Sequence, residues 1–257
     1  MTDISGRLFL STIAGDAAEL ACEYGFGLEI AEFCTAFNMD TAFDMWDERV
    51  RQSMIGVDRF IFHAPFNELC PAAVDPLIVD VAKKRYTQAY ALMSGYGVSA
   101  MIVHSGFLPI LYDVGWFTAK SIEFWRDFLS DKPGNFTLYI ENVYEQTPEL
   151  LCGIVDAVGD TRLRLCLDVG HAAISAKDVN VTEWVKRSAP FLGHIHLHNN
   201  DGERDLHGTL GGGQIDIAAL IRAAIYIVPN VTFTIESVDS GKSVDWLKNN
   251  GFAVYQV

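Results

Sequence analysis

The sequence predicts an α/β protein, a single eight-stranded (β/α)8 TIM barrel, on three observations. Short β-branched and aromatic runs alternate with longer helical patterns from end to end, and eight such strand-helix units can be traced. The length, 257 residues, matches the roughly 250 residues at which one barrel of this kind closes. Repeated strand-helix units in one chain require parallel strands, and eight of them close the sheet on itself. An open doubly wound sheet is the alternative. It normally has fewer units and a glycine-rich turn after its first strand, where this chain has Ile13-Ala-Gly-Asp16, a poor phosphate-cradling loop.

Taken in order, the strands are expected at 7–14, 26–33, 59–65, 100–105, 136–142, 163–169, 193–199 and 231–237. Helices are expected at 16–24, 44–56, 75–96, 116–130, 148–158, 181–189 and 215–227, with 243–249 after the last strand. Several helices open on an acidic residue, Ser or Pro, and the first and third end near glycine, as capping chemistry favours.

Composition narrows the class. Half the residues are apolar, enough for a large core. With 19 basic against 33 acidic residues the net charge is -14, so a polyanionic partner is repelled and nucleic acid is not expected. The opening stretch Met1-Thr-Asp-Ile-Ser-Gly-Arg7 has no basic region followed by an apolar signal core. No apolar run is long enough to span a bilayer, so a soluble cytoplasmic protein without membrane contact is expected. Cys22, Cys34, Cys70, Cys152 and Cys166 are odd in number and widely spaced, without a Cys-x-x-Cys pair. That argues against a disulfide framework or a zinc knuckle.

The chemistry is carried by the strand ends. In Phe60-Ile-Phe-His63, Met101-Ile-Val-His104, Leu138-Tyr-Ile-Glu141, Leu165-Cys-Leu-Asp168 and Phe233-Thr-Ile-Glu236 the last residue is a ligand type, and the residues one and three positions earlier are apolar. Period two then sends the apolar set outward to the helices and the terminal His, Glu or Asp inward. With His196 on the seventh strand, six consecutive strands each deliver one candidate ligand to the carboxyl-terminal face, where barrel active sites lie. Four of the seven histidines and three carboxylates fall in the fourteen residues 194–207. On a strand, His194, His196 and His198 share a face, and Asp205 and His207 return on the following loop. Imidazoles and carboxylates gathered in this way make a nitrogen and oxygen cage for a metal, one that suits zinc, manganese or cobalt.

The stretches Phe62-His-Ala-Pro65, Val103-His-Ser-Gly106, Ile140-Glu-Asn-Val143, the Asp168-x-x-His171 step, His196-Leu-His-Asn-Asn200, Asp205-Leu-His-Gly208 and Thr234-Ile-Glu-Ser237 span almost the whole chain. On them the sequence resembles the xylose isomerase-like TIM-barrel superfamily, which groups endonuclease IV with sugar isomerases and epimerases. The resemblance implies one such domain over residues 1–257. It also implies a core metal site of Glu141, Asp168, His196 and Glu236. Following the endonuclease IV pattern, His63 and His104 would share Glu141 around a second ion, and His171, Asp205 and His207 would hold a third. One to three divalent ions, zinc, manganese or cobalt, are therefore implied, and homo-oligomerisation is common in the group.

The resulting expectation is a metal-dependent isomerase or epimerase of a small sugar, sugar acid or polyol-derived ketone, working through a metal-stabilised enediolate. Glu141 and Glu236 would serve as base and acid, with His171 orienting a hydroxyl. The chain departs from ketose 3-epimerases of the group, which place an arginine shortly after the seventh-strand histidine, because Arg204 stands two positions late. Two alternatives remain open: an endonuclease IV-like multi-metal phosphoesterase with Glu141 bridging two ions, and a non-catalytic metal- or sugar-binding barrel. The loops favour the isomerase. Asp40, Asp44, Asp47, Glu48, Glu68, Asp113, Asp178 and Asp239 face only Arg49, Lys177 and Lys242 there, too few cations to grip a duplex. Phe37, Phe43, Trp46, Phe66, Phe107, Tyr112 and Trp116 are candidates to wall a small pocket. Glu29 and Glu32 are expected either to meet substrate hydroxyls or to be salt-bridged, and Arg164 to form an ion pair low in the barrel.

Overall fold

Eight parallel strands close into a barrel in the computed structural model, which describes residues 2–176 and 179–255. They are β1 (Leu8–Ser11), β2 (Gly27–Ile30), β3 (Phe60–His63), β4 (Ala100–His104), β5 (Thr137–Glu141), β6 (Leu163–Asp168), β7 (Leu192–Leu197) and β8 (Thr232–Ile235). β8 returns to β1 in parallel, with Leu8 opposite Phe233. Every expected strand is present but shorter at its ends. At β1, for example, Arg7 belongs to a 3-10 turn, and the chain bends after Ser11 where Ala14 N–H returns to the Ser11 carbonyl.

The expected helices are all present: α1 (Ala17–Tyr24), α3 (Phe43–Ser53), α4 (Pro76–Gly95), α5 (Val114–Leu129), α6 (Glu149–Val158), α8 (Val181–Ser188), α9 (Ile217–Ile227) and α10 (Ser240–Asn249). Two short ones, α2 (Ala36–Asp40) and α7 (Val169–Ser175), were not expected. Outside the barrel, Thr2–Asp3 and Phe252–Ala253 pair in parallel, joining the two ends of the chain.

Alternation along the strands divides the core into two layers. The residues before each strand tip, such as Phe62, Val103, Ile140, Leu167 and Ile235, pack outward against the helices. Phe9, Ile61, Ile102 and Cys166 form a separate cluster that plugs the lower barrel. Gly27 makes room for that plug, since a Cβ there would lie 2.2 Å from the Phe9 ring. Arg164 does not form the expected ion pair among the described residues; its Nη2 donates to the Leu192 carbonyl at 2.7 Å. The register slips between Leu165 and Cys166, so that Gly193 has no partner and His194 stands opposite Cys166.

The acidic rim is partly a set of helix caps and surface pairs. Asp113 and Asp239 accept from the backbone N–H groups of Trp116 and Lys242, as N-cap residues do. Asp40 pairs with Arg85, and Asp47 with Arg51 and Tyr96. Lys177 and Asp178 lie outside the described residues. No described helix is long and apolar enough to cross a membrane.

Candidate metal centre

The tips of β3 to β8 converge. His63, His104, Glu141 and Asp168 end their strands, His196 stands one residue before the end of β7, and Glu236 follows β8 directly. Asn142 fixes two of these tips: its amide donates to the Asp168 carbonyl at 3.0 Å, and its side-chain oxygen accepts from Asp168 N–H at 2.9 Å. Asp168 also caps the unexpected α7, accepting from His171 N–H at 2.6 Å. One carboxylate therefore ends a strand, starts a helix and points its second oxygen into the site.

The four core residues meet around one atom. His196 Nδ1 lies 3.1 Å from Glu236, 3.4 Å from Glu141 and 3.7 Å from Asp168. Behind it, His196 Nε2 faces Glu29 Oε2 at 3.1 Å. Glu29 also accepts from Thr234 Oγ1 at 2.6 Å and approaches His194, so it belongs to the layer beneath the site and does not meet the cavity. Glu32 accepts from Thr12 and pairs with Arg49, which matches the salt-bridged reading.

The other imidazoles are oriented by backbone carbonyls. Nδ1 of His63 meets the Ala64 carbonyl at 2.9 Å, that of His171 meets Asn142 at 3.0 Å, and that of His207 meets Glu236 at 2.9 Å. A ring nitrogen can meet a carbonyl oxygen only as donor, so each neutral ring keeps its lone pair on Nε2. His63 Nε2 then faces Glu141 at 3.4 Å, while His171 Nε2 and His207 Nε2 face Asp205 Oδ2 at 3.3 and 3.2 Å. His104 Nε2 lies 3.6 Å from Glu141. The nine candidate residues thus form three adjoining groups that share Glu141 and the Asp168–His171 step. The β7 loop is shaped to bring Asp205 and His207 back: Asn199 pairs with Gly208 across the loop, and His207 takes a left-handed φ of 43°, uncommon for a residue with a side chain.

His198 is a tenth participant. It is fully buried, and its Nε2 lies 3.0 and 3.1 Å from the two oxygens of Asp168. Its signal in the sequence is its place two residues after His196, on the same face of the strand.

Electrostatics bear on whether a cation fits. Burial raises the carboxyl pKa values of Glu141 and Asp168, but the surrounding imidazoles outweigh it and hold both well below the usual range. Burial pulls His104 down to about 4. For His207 burial pulls the other way, but the Asp205 hydrogen bond and the Glu236, Asp205 and Asp168 charges together outweigh it and raise the value to about 9. Burial pushes the Cys166 thiol, close to His196, up to about 12. Glu141 Oε2 and His196 Nδ1 are both buried without a hydrogen-bond partner. Two such buried atoms facing each other are costly, and a divalent cation between them would remove that cost. The donor set fits such an ion.

Above the centre opens a cavity of about 750 Å³. Glu141, His171 and Glu236 line it, together with His63, His104, Asp205 and His207, whereas Asp168 and His196 lie behind the wall. Of the seven aromatic candidates, Phe66, Phe107 and Tyr112 reach the cavity; Phe37, Phe43, Trp46 and Trp116 do not. Phe66 stacks on His104 with ring centroids 4.2 Å apart. Trp116 instead anchors a loop by donating to the Ala72 carbonyl at 3.0 Å. The wall also uses Ile13, Leu108, Tyr144, Leu206 and Val238, none of which the sequence singled out. Arg204 pairs with Asp201 at the surface and does not line the cavity.

A parallel eight-stranded barrel with ligand-type residues at its carboxyl-terminal tips defines a class, and sequence comparison names it. Residues 24–250 match the family described as xylose isomerase-like TIM barrel, and the chain belongs to that family. An uncharacterized protein of Methanocaldococcus jannaschii is 27% identical over 209 residues, 73% of this chain and 68% of its own. A probable endonuclease 4 of Mycobacterium bovis is 27% identical over 180 residues, 64% of this chain and 67% of its own. Among solved structures, a D-tagatose 3-epimerase-like protein superposes with a TM-score of 0.76 at 21% identity, covering 95% of this chain and 96% of its own. A D-allulose 3-epimerase from a Methylomonas species, in complex with D-allulose, gives 0.72 at 17% identity, covering 97% and 99%. A Thermus thermophilus protein soaked with zinc chloride gives 0.73 at 20% identity, covering 95% and 98%. At these identities the structural likeness speaks for the fold alone.

Proposed function

We propose that this barrel is a divalent-metal-dependent isomerase or epimerase of a sugar-like ketone. The carrying observation is the pair of buried atoms without a hydrogen-bond partner, Glu141 Oε2 and His196 Nδ1, set 3.4 Å apart, the first on a residue that lines a small-molecule cavity and the second just behind its wall. Glu141, Asp168, His196 and Glu236 would hold the ion, with His63, His104, His171, Asp205 and His207 able to hold more. When bound, zinc, manganese or cobalt supplies a Lewis acid for the charge that develops on neighbouring oxygens as a C–H proton leaves.

The protein's own groups handle the proton. Glu141 and Glu236 both line the cavity and come from β5 and β8, three strands apart, so they approach a bound ketone from different sides. One removes the proton from the hydroxyl-bearing carbon next to the carbonyl, and the other delivers a proton back to that carbon or its neighbour. His171, its Nδ1–H directed to the Asn142 carbonyl and its Nε2 beside Asp205, lines the cavity, where it would orient a substrate hydroxyl. Phe66, stacked on His104, and Phe107 place apolar surface beside these groups. The test is incubation of ketoses with the zinc- or manganese-loaded protein in deuterium oxide. Exchange of the C–H proton next to the carbonyl is expected, and Glu141→Gln and Glu236→Gln should each slow it by about 10²–10⁴-fold. Metal-loaded protein that exchanges no such proton would refute the isomerase.

A second reading is a multi-metal phosphoesterase. The nine-residue donor set favours it, and endonuclease 4 relatives keep a nucleic-acid substrate open. Three bound ions with release of phosphate from an ester, and no C–H exchange, would decide for it.

A further inference from the structure

We infer, resting on the isomerase reading above, that the substrate is an uncharged ketone-bearing sugar or polyol attached to an apolar group of about ring size, rather than a free sugar or a phosphate ester. The cavity has two zones. Its floor is the cluster of carboxylates and imidazoles, which suits vicinal oxygens. Its wall is apolar: Phe107, Leu108, Tyr144, Leu206 and Val238 come from the loops after β4, β5, β7 and β8 and converge on the same space. Leu108, Tyr144, Leu206 and Val238 are each at least 39% exposed. Exposed apolar side chains scattered singly need no explanation, whereas a set that lines one concavity marks a surface built to be covered.

Charge sharpens the choice. Among the described residues no Lys or Arg lines the cavity, and Glu68 adds a carboxylate. A phosphate or carboxylate tail held away from the floor would meet no counter-charge and no guanidinium fork. At about 750 Å³ the space falls in the range of drug-sized ligands. A bare monosaccharide on the floor would leave water against the apolar wall, and an aryl or alkyl substituent displaces that water.

The test uses three ketoses with the same reactive end and different tails: D-fructose, D-fructose 6-phosphate and 6-O-benzyl-D-fructose. Dissociation constants are measured by calorimetry on the zinc-loaded protein, and C–H exchange is followed separately in deuterium oxide. The benzyl ether should bind about 30-fold more tightly than D-fructose, from the usual return per added ligand atom, and the phosphate should bind most weakly. The double variant Leu108→Ser, Tyr144→Ser should bring the benzyl-to-free ratio towards one. Leu108→Lys should raise the relative affinity for the phosphate. Equal affinities, or a preference for the phosphate in the unaltered protein, would overturn the inference while exchange on any of the three keeps the isomerase standing. Binding with the expected preference but no exchange would sink the isomerase and leave the pocket's selectivity in place. Absence of binding by all three would contradict both.

Discussion

Glu29 Oε2 lies 3.1 Å from His196 Nε2, and this contact turns the opposite nitrogen of the same ring to the Glu141 and Glu236 carboxylates. Glu29 is wholly buried and also accepts from Thr234 and approaches His194. A carboxylate behind a ligating imidazole fixes its tautomer and raises its basicity. Glu29→Gln should therefore weaken zinc binding by about 10–100-fold, read by competition with a chromogenic chelator, while circular dichroism stays unchanged. Wild-type affinity in that variant would remove Glu29 from the metal site.

Gly170, in the first turn of α7, leaves room for His198. A Cβ at this position would lie 1.9 Å from the His198 ring. Helix propensity alone would make Gly170→Ala stabilising by about 1 kcal/mol, so the sign of the effect separates the two influences. The clash should win, with a loss of about 1–3 kcal/mol and a weaker grip on Asp168. Thermal unfolding of the metal-free protein measures it, and a raised Tm would contradict the packing described for His198.

Much of this centre could be read in advance because the barrel enforces period two. Once Phe62, Val103, Ile140, Leu167 and Ile235 face the helices, His63, His104, Glu141, Asp168 and Glu236 have to face the axis. The cage was visible for that reason, and its support was not. Glu29 reaches His196 across β1 and β8, a relation between elements distant in sequence that no local pattern encodes. α7 was hidden because Asp168 ends a strand and caps a helix at once, so Val169 looked like the end of β6. The rim aromatics were a partial guide: Phe66, Phe107 and Tyr112 reach the cavity, whereas Trp116 anchors a loop and Phe37 stays exposed, and Leu108, Leu206 and Val238, unremarkable in sequence, complete the wall.

Glu145, behind the β5 loop, gives a pH signature. It is buried, one oxygen accepts from Val143 N–H at 2.7 Å, and the other has no partner. Burial raises its pKa above the ordinary glutamate value of 4.5. The folded protein then binds this proton more tightly than the unfolded chain, so the stability it contributes is present below pH 4.5 and is lost as pH rises through the folded value. Glu145→Gln should have a higher Tm than the parent at pH 8, with the difference shrinking as pH falls towards 4.5. A difference that stayed constant with pH would mean that this carboxyl is not held protonated by burial.

Anomalous scattering from zinc-soaked crystals tests the four-residue centre most directly. An ion is expected within about 2.0–2.2 Å of His196 Nδ1 and of carboxylate oxygens from Glu141, Asp168 and Glu236, on the cavity side of the imidazole. Zinc absent from that position, or bound through His196 Nε2 on the Glu29 side, would contradict it.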